Sequence, residues 1–163
     1  MRKIALALSP LVACIVLAAP AMAGDYRLGA LTIKAPWTRP AMASMNGVGF
    51  MTIANASAQP VKLLSAESPL AGKVEIHRSA MANGVMTMRR QDDGVAIPAG
   101  GSVTFAPGGY HLMLLGLKQP LAQGQKAPVT LVFDNGRRAA VELTVQSAAP
   151  QAPQGSMGEH QHH

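Results

Sequence analysis

Two histidines and several methionines stand in this sequence at spacings that suit a soft metal ion. His77 precedes Met86 and Met88 in the run Val74-Glu75-Ile76-His77-Arg78-Ser79-Ala80-Met81-Ala82-Asn83-Gly84-Val85-Met86-Thr87-Met88, and His111 and Met113 end the run Gly108-Gly109-Tyr110-His111-Leu112-Met113. Imidazole and thioether together suit Cu(I), whereas zinc takes thiolate, imidazole and carboxylate. The composition agrees, with ten methionines against three phenylalanines, one tryptophan and two tyrosines. Residues two apart on a strand point to one face, so a strand through His111 offers both an imidazole and a thioether to one side. Met86 and Met88 share a face in the same way, on a strand entered from the Asn83-Gly84 turn. His77 is expected to end the strand before that turn, so that His77 and Met88 pair across a hairpin. Two nitrogens and two sulfurs, all neutral, would fill a tetrahedral Cu(I) ion and hold Cu(II) poorly, since Cu(II) prefers tetragonal nitrogen and oxygen sets. A single methionine on a strand is more often core filler. The weight lies in convergence: His77 and His111 are the only histidines between residues 24 and 147, and both lie beside methionines.

The elements that must position these ligands read as strands. Segments 30–33, 47–54, 61–64, 73–77, 85–89, 95–97, 102–105, 110–115, 128–133 and 139–145 are short and rich in β-formers. Turn signals separate them, among them Asn83-Gly84, Asp92-Asp93-Gly94, Pro107-Gly108-Gly109 and Asp134-Asn135-Gly136. Many short strands at regular spacing predict an all-β sandwich or barrel. Residues 65–72 are the one stretch expected to form a short helical turn.

The two ends differ from this middle. Arg2 and Lys3 precede an uncharged apolar run, and Ala21-Met22-Ala23 forms a small-x-small cleavage site. Residues 1–23 therefore read as a cleaved export signal, and no stable membrane insertion is expected. Leu11-Val12-Ala13-Cys14 also has the form of a lipobox, so a lipid anchor on Cys14 is the alternative. Cleavage after Ala23 leaves 163 − 23 = 140 residues and no cysteine, since Cys14 is the only one. Disulfides, thiolate metal sites and cysteine nucleophiles are then excluded. The formal charge falls from +6 to +4 when Arg2 and Lys3 are removed, with no basic run to suggest nucleic-acid binding. No Ser-His-Asp set or open histidine cluster marks an enzyme, and a monomer is expected. Residues 24–147 are expected to form the copper-binding domain. Residues 148–163 turn to Ala, Pro, Gln and His and are expected to be a disordered tail. Gln161 interrupts its histidines, unlike a typical affinity tag. Met157, His160, His162 and His163 make the tail a candidate for a second copper, mainly as Cu(II).

Asn83-Gly84-Val85-Met86-Thr87-Met88-Arg89, Ile97-Pro98-Ala99-Gly100-Gly101 and Pro107-Gly108-Gly109-Tyr110-His111-Leu112-Met113 resemble the PCuAC family of periplasmic copper chaperones. So do Trp37-Thr38-Arg39-Pro40 and Ile53-Ala54-Asn55, and the resemblance runs from about residue 35 to residue 145. The family motif is His, ten residues, Met, about twenty-one residues, then His-x-Met. Here ten residues separate His77 from Met88, and twenty-two separate Met88 from His111. An extra residue in the Asp92-Asp93-Gly94 turn would absorb the difference. The resemblance implies a cupredoxin-like (immunoglobulin-like) antiparallel β-sandwich in which His77, Met88, His111 and Met113 bind Cu(I). Met86 and Met81 are neighbours rather than implied ligands. A blue-copper electron-transfer site is not implied, since it needs a cysteine thiolate. The resemblance further implies copper homeostasis and delivery for cytochrome c oxidase assembly, to the oxidase copper-site subunit or a Sco-type copper protein. A copper-sequestering or resistance protein is the alternative.

Overall fold

The structure is a computed structural model that describes residues 24–150. Eleven strands follow in order: β1 Tyr26–Leu28, β2 Leu31–Thr38, β3 Gly47–Asn55, β4 Val61–Glu67, β5 Ala71–Ala82, β6 Val85–Arg90, β7 Val95–Ile97, β8 Ser102–Phe105, β9 Tyr110–Leu117, β10 Lys126–Phe133 and β11 Arg138–Val145. They hydrogen-bond in the order β6-β5-β9-β8-β3-β2-β11-β10-β4-β7, with β1 on β2 and a further β9–β3 pairing. Most pairs are antiparallel. β2 joins β11, and β8 joins β9, through short parallel contacts. The sheet turns over at the β2–β11 junction and closes as a sandwich, with β4 packed on β5 and β7 on β3.

Alternation of apolar and polar residues explains the strands. Ala127, Val129, Leu131 and Phe133 of β10, and Ala139, Val141, Leu143 and Val145 of β11, all enter the core while their neighbours face outward. Ile33, Ile53, Leu63, Ile97, Phe105, Leu112 and Leu114 are among the residues that join them. Burying such a side chain is worth about 1.5–3 kcal/mol, so these residues decide which face of each strand is left for chemistry. The buried Asn55 is satisfied locally: its amide donates to the Gln59 and Ile97 carbonyls and its oxygen accepts from Ser57.

Three expectations are corrected. Residues 65–72 form no helical turn. Ser65, Ala66 and Glu67 extend β4 and pair with Val132, Leu131 and Thr130 of β10. Burial of Ala66 and those sheet pairings outweigh local preference, and Ser68-Pro69 then turns the chain into β5. His77 does not end its strand, because β5 continues to Ala82. β2 runs past Ile33 to Thr38, through a bulge at which Ala35 adopts a positive φ of 43°. The expected signal segment 1–23 and the tail from residue 151 lie outside the described residues.

Candidate metal centre

The β5–β6 hairpin is built by its turn. Asn83 and Gly84 have φ values of 51° and 76°. Two such residues make the two-residue turn whose twist matches the flanking strands. The register follows: Ala82 opposes Val85, Met81 opposes Met86, Ser79 opposes Met88 and His77 opposes Arg90. On its other side β5 pairs with β9, where His77 opposes His111 and Glu75 opposes Met113. Opposed residues project to the same face. His77, His111, Met113 and Met88 therefore share one face across three strands. Val74, Ile76, Leu112 and Leu114 point the other way, into the core. The hairpin was expected to set His77 opposite Met88. The two are instead diagonal neighbours, a separation of about 7–8 Å between backbones that long side chains span.

The imidazole rings lie 5.8 Å apart, centroid to centroid, at 59°. Each has one nitrogen committed to a fixed acceptor. His111 is only 4% exposed, and its Nδ1 donates to the Gly109 carbonyl at 3.1 Å. A carbonyl can only accept, so Nδ1 carries the hydrogen and Nε2 keeps its lone pair. The same carbonyl also accepts from the Ser79 amide at 3.0 Å, which locks β5 to the turn before β9. His77 donates from Nε2 to Glu75 Oε2 at 2.8 Å. Its other nitrogen, Nδ1, is buried and has no hydrogen-bond partner. An unpaired buried acceptor costs about 1–3 kcal/mol, and a metal ion bound there would remove that cost.

Glu75 is the hub behind His77. Its carboxylate also accepts from Lys73 Nζ at 2.6 Å and Arg90 at 3.1 Å. The Lys73 ammonium, then the His77 ring and Arg90, hold its pKa down at about 2 against partial desolvation. It is thus an acceptor at any pH where the imidazole is neutral. Arg90 is in turn paired with Asp92, which with Glu75 raises its pKa. Carboxylate behind a ligating histidine fixes the ring's tautomer and orientation. Neither Glu75 nor the Gly109 carbonyl was singled out from sequence, although Glu75 lies two residues from His77 on one strand and must share its face.

Met88 is 52% exposed, and Met113 is half-buried beside the histidines. The arrangement is a buried imidazole floor with one thioether at the solvent edge. Among the described residues no group of three or more His, Cys, Asp or Glu side chains is placed to hold a metal ion. A hard or borderline ion thus has no ready cage, whereas mixed nitrogen and sulfur donors fit a soft one.

The fold is a cupredoxin-like β-sandwich of the PCuAC type. The LpqE-like family model matches residues 31–145, and the chain belongs to that family. Lxx21020 of Leifsonia xyli subsp. xyli (strain CTCB07), a lipoprotein by its name, is 35% identical over 114 residues, which span 70% of this chain and 68% of that protein. The copper-bound PCuAC domain from PmoF2 superposes with a TM-score of 0.64 at 25% identity, covering 77% of this chain and 99% of that one. The Cu(I) form of DR1885 from Deinococcus radiodurans superposes with a TM-score of 0.51 at 31% identity, over 71% of this chain and 78% of that one.

Proposed function

We propose that this chain is an exported copper chaperone. It holds one Cu(I) through His77, His111, Met88 and Met113 and delivers it for cytochrome c oxidase assembly, to the copper-site subunit or a Sco-type protein. The observation that carries this reading is the buried, unpartnered Nδ1 of His77 beside the His111 ring, on the face shared with both methionines. Copper-bound relatives of the same fold support it. Nδ1 of His77 and Nε2 of His111 are the nitrogens left free to bind. Four neutral donors leave the bound ion its single positive charge, a set that favours Cu(I) over Cu(II). An exposed Met88 lets an incoming ligand displace one thioether while the other donors hold the ion. Copper can then pass between proteins without being released to solvent.

The deciding experiment is anaerobic transfer from the Cu(I)-loaded chain to an apo oxidase copper-site domain and to an apo Sco-type protein. Stoichiometric transfer faster than through a small chelator supports delivery. Retention of the metal against both acceptors identifies a sequestering protein instead.

Export has two forms to separate. Leu11-Val12-Ala13-Cys14 and the lipoprotein name of the Leifsonia relative favour an anchored form, and Ala21-Met22-Ala23 favours a released one. Intact mass decides between a chain of 163 − 23 = 140 residues and one that begins at a lipidated Cys14. The tail histidines His160, His162 and His163, with Met157, are proposed to take a second copper as Cu(II). Deleting residues 155–163 should remove that stoichiometry alone.

A further inference from the structure

Beyond Ser79, whose amide still bonds the Gly109 carbonyl, β5 continues only with β6, so the hairpin extends past the rest of the sheet as a two-stranded ribbon. β6 is an edge strand, and every one of its residues is exposed. Exposed edges are ordinarily protected with charge, proline or a bulge. β6 carries such charge only at its end, in Arg89 and Arg90, while the ribbon exposes Met81, Met86 and Met88 at 63%, 56% and 52%. None of the three is core filler. The register sets Met81 directly opposite Met86, and Met88 lies two residues from Met86 on the same strand. All three share the face of His77 and His111. Directly opposed residues have Cβ atoms about 4.5–5.5 Å apart, so flexible thioethers on that face can converge on one ion. Three thioethers with no carboxylate or imidazole among them suit a soft monovalent cation and discriminate against zinc.

We propose that Met81 and Met86, with Met88 shared, form a second, outer Cu(I) position. Cargo reaches and leaves the His77–His111 site through it. The proposal rests on the Cu(I) reading of the inner site. Met88 is the exchange point: it belongs to the inner set through its diagonal relation to His77 and to the outer set through Met86. Copper moves by exchange of neutral ligands, with no change of oxidation state and no proton released. Sulfur-only donors make the outer position the weaker one, as an entry point must be.

The test is an anaerobic Cu(I) titration of the exported chain, tail included, read by the assigned methyl resonances of its methionines. The first equivalent should move Met88 and Met113, and the second Met81 and Met86. In M81L/M86L, where leucine keeps apolar volume at exposed positions, the second phase should vanish while the first persists. Amide resonances of Asn83 and Gly84 report that the hairpin is intact. Copper loss from that variant to excess bicinchoninate should slow, with the equilibrium affinity of the first site unchanged. A second equivalent that moves only Met157, or no methionine, overturns the proposal, as does an M81L/M86L variant with wild-type phases and rates. A first equivalent that bypasses Met88 and Met113 overturns the inner-site reading instead. If Met81 and Met86 move with that first equivalent, the hairpin position still stands.

Discussion

Replacing Glu75 tests whether the hydrogen bond behind His77 prepares the proposed copper site. Glu75 presents four acceptor lone pairs to three donors: His77 Nε2 at 2.8 Å, Lys73 Nζ at 2.6 Å and Arg90 at 3.1 Å. In Glu75→Gln one acceptor oxygen remains, and the new amide hydrogens face cationic groups. Either His77 or the cations lose their partner, and the charge assistance is gone. In Glu75→Leu all three contacts are lost, and the His77 ring loses the acceptor that fixes its orientation. Loss of such an outer partner lowers metal affinity by about 10–100-fold. We expect Glu75→Leu at the upper end of that range and Glu75→Gln at the lower. Competition for Cu(I) against a chromophoric chelator, under anaerobic conditions at neutral pH, gives the affinities. The nitrogen chemical shifts of the His77 ring report its tautomer in the same samples. A Glu75→Leu variant within about twofold of wild type, against the tenfold or more expected of an orienting carboxylate, would refute the reasoning.

Three further outcomes follow from the structure. Leu112→Ala empties a fully buried position on β9 between His111 and Met113, and should cost about 2–5 kcal/mol of stability in a denaturant titration. Gly94→Ala places a Cβ 2.3 Å from the Leu63 carbonyl oxygen at a φ of +76°. Left-handed strain alone is about 1–3 kcal/mol, so a loss at or above that is expected in thermal unfolding, and a neutral result would contradict the turn geometry. Glu75 has its pKa lowered in the fold from 4.5 to about 2, so its charge stabilises the fold fully above the ordinary value. The stability gap between wild type and Glu75→Gln should hold at neutral pH and close as pH falls from about 4.5 towards 2.

Much of this architecture can be read in the sequence because burial imposes a period of two. The strands around Val61, Lys73, Ser102, Tyr110 and Ala139 follow from it, as does the common face of His111 and Met113. The register of the hairpin was also within reach. A two-residue loop at Asn83-Gly84 makes Ala82 face Val85, which forces His77 opposite Arg90 and Met88 opposite Ser79. Spacing alone suggests a direct pairing of His77 with Met88, and the turn type is what shifts it by two residues. Residues 65–67 resisted local reading because their strand exists through β10, which lies more than sixty positions away in the chain. Each imidazole finds its acceptor only two residues away in the chain, whereas the burial of His77 Nδ1 arises only when the neighbouring strands close over it.

X-ray absorption at the copper edge of the chain loaded with one equivalent of Cu(I), beside the Met88→Leu/Met113→Leu variant, addresses the ligand set itself. The proposed site requires a mixed sphere of two imidazole nitrogens and two thioether sulfurs in the wild type. The sulfur scattering should disappear from the variant, and its hold on Cu(I) should weaken, with the fold unchanged because Met88 is exposed and Met113 only half-buried. A sphere of nitrogen and oxygen alone in the wild type, or one that the double substitution leaves unaltered, would contradict the assignment of this face as the copper site.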